Sequence, residues 1–138
     1  MDIRYPAIME SQEPAGFFIR FLDVEEAFTE GSTREEALQN AAEVLTALLG
    51  WRMDQGLEIP QPSQDVKEAF YVAPDAKTQA ALLLRFAMER PVGTSRGHQS
   101  RKTLSSTRDH AVQQHRPSLR QLEKAAARLG KRLVLSFD

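Results

Sequence analysis

The spacing of apolar residues along the chain changes period several times, and each change marks an element. Residues 3–9 make a first strand. Glu13-Pro14-Ala15-Gly16 is turn material, and Phe17-Phe18-Ile19-Arg20-Phe21 follows as a second strand, so the two form a hairpin. Ala27-Phe28-Thr29, just before Gly31, predicts a third, short strand. The period then lengthens. Ala37, Leu38, Ala41, Val44, Leu45, Leu48 and Leu49 recur three and four apart, which draws one apolar stripe along a helix. Thr33-Arg34-Glu35-Glu36 supplies its start: the Thr33 hydroxyl accepts the Glu36 amide, Glu36 reaches back, and two carboxylates suit the positive end of the helix dipole. Gly56, after Gln55, supplies its stop.

Residues 57–63 carry Pro60 and Pro62 and read as a connection to a fourth strand, Phe70-Tyr71-Val72. The order β-β-β-α-β predicts a sheet with the helix on one face. Pro74-Asp75 opens a second helix over residues 76–89, which Pro91 and Gly93 end. A last helix is expected over residues 119–129, between the cap candidate Ser118 and Gly130, with Leu119, Leu122, Ala126 and Leu129 as its stripe. The alternation of Leu133, Leu135 and Phe137 predicts a strand over residues 131–137. Residues 91–117 show neither period and read as a loop. The expected fold class is α+β. A β-β-β-α-β N-terminal domain, residues 1–73, precedes a small, mainly helical C-terminal region, residues 74–138, that ends in a short strand.

Charge sharpens this division. The net charge is only −1. Residues 1–73 nevertheless hold 14 acidic and five basic side chains, net −9, and residues 74–138 hold five acidic and 13 basic, net +8. An acidic half suits a basic partner, and a basic half suits nucleic acid. The chain has no cysteine, so disulfides and thiolate metal sites are excluded. No apolar run approaches the ~18 residues of a membrane span, and the first ten residues lack the pattern of a signal peptide. The expected location is the cytoplasm, with no membrane partner.

Candidate chemistry is sparse. His98, His110 and His115 stand 12 and five residues apart with no carboxylate pair to complete a metal set. Asp23, Glu25 and Glu26 cluster after the second strand, but the several convergent carboxylates of a two-metal nuclease are not assembled. Serine-nucleophile motifs and phosphate-binding glycine loops are absent. The expectation is a non-enzymatic protein without cofactor or metal. Arg96, Arg101, Lys102, Thr107 and Arg108 are candidates for DNA contact, although no aromatic residue is interleaved to stack bases.

One ordered series of residues carries a resemblance. It runs Arg4-Tyr5-Pro6-Ala7, then Gly16-Phe17-Phe18-Ile19-Arg20-Phe21-Leu22-Asp23, then Val24-Glu25-Glu26-Ala27-Phe28-Thr29-Glu30-Gly31-Ser32-Thr33, then Glu35-Glu36-Ala37-Leu38, and later Ile59-Pro60-Gln61-Pro62-Ser63. Over about the first 75 residues the chain resembles the HicB antitoxins of type II toxin–antitoxin systems. Residues 76–89 and 119–135 resemble the ends of a helix-turn-helix domain carried by some HicB proteins. Between them, Pro91-Val92-Gly93-Thr94-Ser95-Arg96-Gly97-His98 departs from the helix-turn-helix pattern, so the region is degenerate.

The resemblance implies a partial ribonuclease-H-like fold for residues 1–73. It implies binding of a small, basic, mRNA-cleaving toxin of the HicA type, with neutralisation of that toxin. It also implies oligomerisation, as a dimer or tetramer, and repression of the pair's own operator. Motif position and charge make Asp23, Glu25, Glu26, Thr29 and Gly31 the candidate toxin-binding residues. Two alternatives stand beside this reading: a DNA-binding transcriptional regulator acting through the basic half, and a weak metal-dependent nuclease.

Overall fold

The structure is a computed structural model, and it describes residues 2–89 and 117–137. Its elements are β1 (Tyr5–Ser11), β2 (Phe17–Phe21), β3 (Phe28–Gly31), α1 (Arg34–Asp54), β4 (Phe70–Val72), α2 (Ala76–Glu89) and α3 (Leu119–Arg128). The fold class is α+β, as the alternating and helical periods predict. Internal packing divides the chain into two compact units, Met1–Gln79 and Ala80–Asp138.

In the first unit the four strands form an antiparallel sheet in the order β3-β2-β1-β4. The turn from β1 to β2 is closed by the Gln12 amide on the Gly16 carbonyl, 2.9 Å, with Gly16 at φ +109°. A side chain is disfavoured at that angle, which is why glycine stands there. β4 returns after α1 and pairs with β1, Tyr5 opposite Val72 and Ala7 opposite Phe70.

Alternation then sorts the side chains. Ile19 and Phe21 of β2 and Tyr5 and Ala7 of β1 are buried. α1 packs against β2 and β3 and buries Ala37, Ala41, Leu45, Leu49 and Met53, a strict four-residue stripe. Leu38, Val44 and Leu48 flank the stripe and are half-buried. The opposite sheet face carries Phe18, whose ring lies 6.0 Å from that of the exposed Phe28, and Arg20, 3.7 Å from Glu10.

The ends of α1 are built from local chemistry. Thr33 Oγ1 accepts the Glu36 amide at 3.1 Å, and Glu36 Oε1 accepts the Ser32 amide at 3.0 Å. The reach-back thus lands one residue before the cap. At the other end, Gly56 adopts φ +70°, its amide bonds the Met53 carbonyl, and the Leu57 amide bonds the Arg52 carbonyl. This paired arrangement satisfies two carbonyls that the helix would otherwise leave open. The start of α2 is fixed by Asp75, whose side chain accepts the Thr78 amide at 2.9 Å and whose amide donates to Thr46 Oγ1 at 2.9 Å.

In the second unit, α3 begins with a reciprocal cap. Ser118 Oγ accepts the Gln121 amide at 3.1 Å and the Ser118 amide donates to Gln121 Oε1 at 2.8 Å. α3 buries Leu122 and Ala125 and exposes Arg120, Lys124 and Arg128. Residues 80–89 of α2 and α3 flank a recess of about 250 Å³ with Leu84, Ala87, Met88 and Ala125 as apolar lining and Lys124 and Arg128 as basic lining. The expected strand over residues 131–137 is a correction: these residues have no regular secondary structure. A strand is defined by its ladder, and alternation alone supplies a face without a neighbour to bond to. Among the described residues, no helix is long and apolar enough to cross a membrane.

Candidate functional site

The candidate site is the loop between β2 and β3, where the first unit concentrates its carboxylates. The loop is rigid for reasons visible in its backbone. The Phe21 amide bonds the Ala27 carbonyl at 3.0 Å, the Ala27 amide bonds the Val24 carbonyl at 2.9 Å, and the Leu22 amide bonds the Pro6 carbonyl of β1 at 3.1 Å. Val24 and Ala27 are fully buried. The loop therefore turns its apolar residues inward and leaves Glu25 and Glu26 exposed, with Asp23 half-buried.

Each carboxylate has a different environment. Asp23 accepts both the Ser63 amide at 2.8 Å and the Ser63 hydroxyl at 2.6 Å. Glu26 makes a two-pronged pair with Arg52 of α1, 2.6 Å from Nε and 2.8 Å from Nη2. The same guanidinium donates through Nη1 to the Glu58 carbonyl at 3.0 Å. Glu25 is exposed and adds to the negative field around Arg52. Thr29 sits opposite Ile19 on the helix-facing side of the sheet, half-buried. Gly31 is buried, and a Cβ there would meet the Ala37 backbone nitrogen at 2.5 Å. The structure thus groups Asp23, Glu25 and Glu26 in one loop and sets Thr29 and Gly31 behind it, toward α1.

The proline-containing connection after α1 is part of the same assembly, which sequence reasoning missed. The Tyr5 hydroxyl donates to the Pro60 carbonyl at 2.8 Å. The Tyr71 hydroxyl donates to the Ser63 carbonyl at 2.9 Å and accepts the Val66 amide at 3.1 Å. Ile59 is buried. The Ile59-to-Ser63 motif is therefore a strap laid along the acidic loop. The signal that pointed to it was the paired prolines, which favour extended backbone with few internal bonds and leave its carbonyls to side chains.

Electrostatics follow from these partners. Burial pushes the Tyr5 phenol well above its ordinary value, the nearby Asp23 charge adds to this, and Arg52 opposes it. Tyr5 therefore stays protonated and keeps donating. The Arg52 hydrogen bond holds the Glu26 carboxyl below the ordinary carboxylate range. A depressed carboxylate contributes stability above its unfolded pKa and loses it as pH falls through its folded pKa. The side chains are 22% (Arg52) and 36% (Glu26) exposed, so solvent screening limits the pair to about 0.5 kcal/mol. Glu26→Gln should lower the unfolding free energy by about that amount at neutral pH, with the difference vanishing in acid. Urea melts at paired pH values check this; an undiminished difference below the carboxylate range would refute it. Ser63→Ala removes the hydroxyl bond to Asp23 and leaves the amide bond. We expect a loss of about 1 kcal/mol and faster hydrogen exchange at the Val66 amide.

Arg96, Arg101, Lys102, Thr107 and Arg108 lie outside the described residues. Among the described residues, no group of three or more His, Asp or Glu is arranged to hold a metal ion.

An α+β unit with a stapled, exposed acidic loop is thus the class of protein that the coordinates define. Comparison with known proteins narrows it. Residues 4–82 match the family described as HicB-like antitoxin of bacterial toxin–antitoxin systems. An Antitoxin HicB 1 from Photorhabdus laumondii is 39% identical over 61 residues, covering 44% of this chain and 39% of that protein. An Antitoxin HicB 2 from the same organism is 33% identical over 139 aligned positions, covering 97% of this chain and 96% of that protein. The Antitoxin HicB of Escherichia coli K12 is 31% identical over 61 residues, 44% of each chain. The chain therefore belongs to the HicB-like antitoxin family. The strands, the acidic loop, α1 and the strap all fall within the matched 4–82 segment.

Proposed function

We propose that this chain neutralises a small, basic, HicA-like toxin that cleaves mRNA, and that it does so without catalysis of its own. The observation that carries the reading is the Asp23–Glu26 loop, a set of carboxylates fixed on a family-matched acidic unit. A protein that holds RNA must present cations to phosphates. Carboxylates delivered to those cations on a rigid loop exclude the RNA, and rigidity spares the ordering cost of binding. In this reading Glu25 and the outer oxygen surface of Glu26 meet the toxin, Asp23 holds the loop against the strap, and Thr29 and Gly31 set its distance from α1. Residues 1–73 are the toxin-binding part and act in the cytoplasm.

The test is co-purification of the full chain with the product of the adjacent small gene, followed by an RNA-cleavage assay. Stoichiometric loss of cleavage is expected. A complex that forms while cleavage continues would sink the masking mechanism.

A second activity of the same protein is repression of its own operator by an oligomer, through residues 74–138. The favouring observation is the exposed series Arg120, Lys124 and Arg128, spaced four apart along one face of α3. Arg96, Arg101, Lys102, Thr107 and Arg108 would add to that basic surface. Operator affinity should fall steeply with salt, as counterion release requires. Absence of a shifted complex at low salt would retire this activity.

A further inference from the structure

Two helix faces in the second unit confront each other across a recess. Leu84, Ala87 and Met88 recur three and four apart and form one face of α2. Gln121, Lys124, Ala125 and Arg128 recur likewise and form one face of α3. Packed helices normally interlock such ridges and leave few voids larger than a water molecule. Here the two faces leave about 250 Å³ between them. We propose that this recess is a binding site for a small amphipathic carboxylate. Its apolar body would lie on the α2 face and its carboxylate between Lys124 and Arg128.

Volume sets the size of the occupant. A water molecule takes roughly 30 Å³ in the liquid, so the recess accommodates about eight groups of that size. Sites for drug-sized ligands run from roughly 300 to 1,000 Å³. The recess therefore suits a compact molecule of about eight to ten non-hydrogen atoms, with its head at the mouth.

The lining sets the chemistry. Leu84 and Ala125 are buried, and Ala87 and Met88 are half-buried. Water on such a floor lacks polar partners, so an apolar body displaces it favourably. Met88 is unbranched and adapts to the shape of what it meets.

The rim offers donors. Gln121 Oε1 accepts the Ser118 amide at 2.8 Å, which pins the side chain and leaves Nε2 to donate. Lys124 and Arg128 are exposed one helical turn apart. Among the described residues, neither takes part in an ion pair or a side-chain hydrogen bond. Glu89 of α2 is held by Arg85 at 3.1 Å, and Glu123 of α3 lies off the lining face. Two cations and an amide donor above an apolar floor lack one complement, an anion with an apolar body. A phosphate would answer the rim and leave the floor wet.

The site has a regulatory consequence, which rests on the operator reading above. Lys124 and Arg128 belong to the basic series assigned there to DNA. A carboxylate between them neutralises charge that the phosphates need, so ligand and operator oppose each other by the same factor.

Calorimetry of the full chain with octanoate as the probe should give a Kd of about 1 mM or tighter. Octylammonium carries a similar body with the opposite head, and inorganic phosphate is a head without a body. Each should bind at least about tenfold more weakly. Lys124→Gln with Arg128→Gln should weaken octanoate at least about tenfold by removing the head contacts. Ala87→Leu should do so by filling the floor, with an unchanged circular dichroism spectrum and unchanged operator affinity. In a mobility-shift assay, saturating octanoate should weaken operator binding of the wild type at least about fivefold and leave Ala87→Leu unaffected. No binding of octanoate at about 10 mM, equal binding of octylammonium, or undiminished binding in either variant would overturn the site. Octanoate that binds while operator affinity stays constant would overturn the competition. Absence of operator binding by the wild type would remove the repressor reading alone, and calorimetry would still decide the site.

Discussion

Gly31→Ala is expected to destabilise the first unit by about 3 kcal/mol, a large share of the stability of a small domain. The added Cβ would stand 2.5 Å from the Ala37 backbone nitrogen, 2.8 Å from its Cα and 3.0 Å from the Glu36 carbonyl carbon. These are backbone atoms inside the first turn of α1, so no side-chain rotation relieves the clash. Either β3 shifts and loses the pairing of Gly31 with Phe17, or the first turn lifts and loses the Thr33–Glu36 cap. A urea titration followed by circular dichroism measures the loss. A midpoint within error of wild type would mean that β3 and α1 do not approach as described.

The second large effect concerns binding. Glu25→Lys with Glu26→Lys should weaken toxin affinity about 100-fold, equivalent to roughly 3 kcal/mol. Two like-charge contacts would replace two attractive ones, and Arg52 would lose its partner and add a third cation to the surface. Raising salt should shrink the difference, because the Debye length falls from about 10 Å at 0.1 M to about 3 Å at 1 M. Calorimetry at two ionic strengths, with thermal melts of the variant as a control for folding, makes the comparison. A loss under about threefold would move the interface off this loop.

The elements were legible where local signals agree. Phe17–Phe21, Phe70–Val72 and Ala76–Glu89 follow from an apolar run holding the β-branched Ile19, a three-residue apolar run and the Pro74-Asp75 start, each with its own punctuation. The helix stripe and its cap were readable because all the contacts lie within four residues. The site was legible only by composition. Nothing in Asp23-Val24-Glu25-Glu26 announces that Ser63, 40 positions on, takes both oxygens of Asp23, or that Arg52, 26 positions on, takes those of Glu26. Such pairs are set by the path of the backbone through β1, α1 and the strap. Gly31 is a similar case: a glycine before a helix reads as turn material, whereas its small size answers to the closeness of Ala37. The C-terminal alternation was read as a strand because the pattern names a face. It cannot name a neighbour, and among the described residues the segment pairs with none.

The position of β4 has a consequence for the order of events in synthesis. The hairpins β1–β2 and β2–β3 close within the first 31 residues, but β1 is completed only when Phe70–Val72 arrives from beyond α1. Contacts so far apart along the chain form late. Until then the nascent protein exposes the hydrogen-bonding edge of β1, with Tyr5 and Ala7 unshielded on that side. A ribosome paused before residue 70 would hold a sticky half-sheet. The speed of translation through the strap therefore sets how long the growing chain is vulnerable to joining the wrong neighbour.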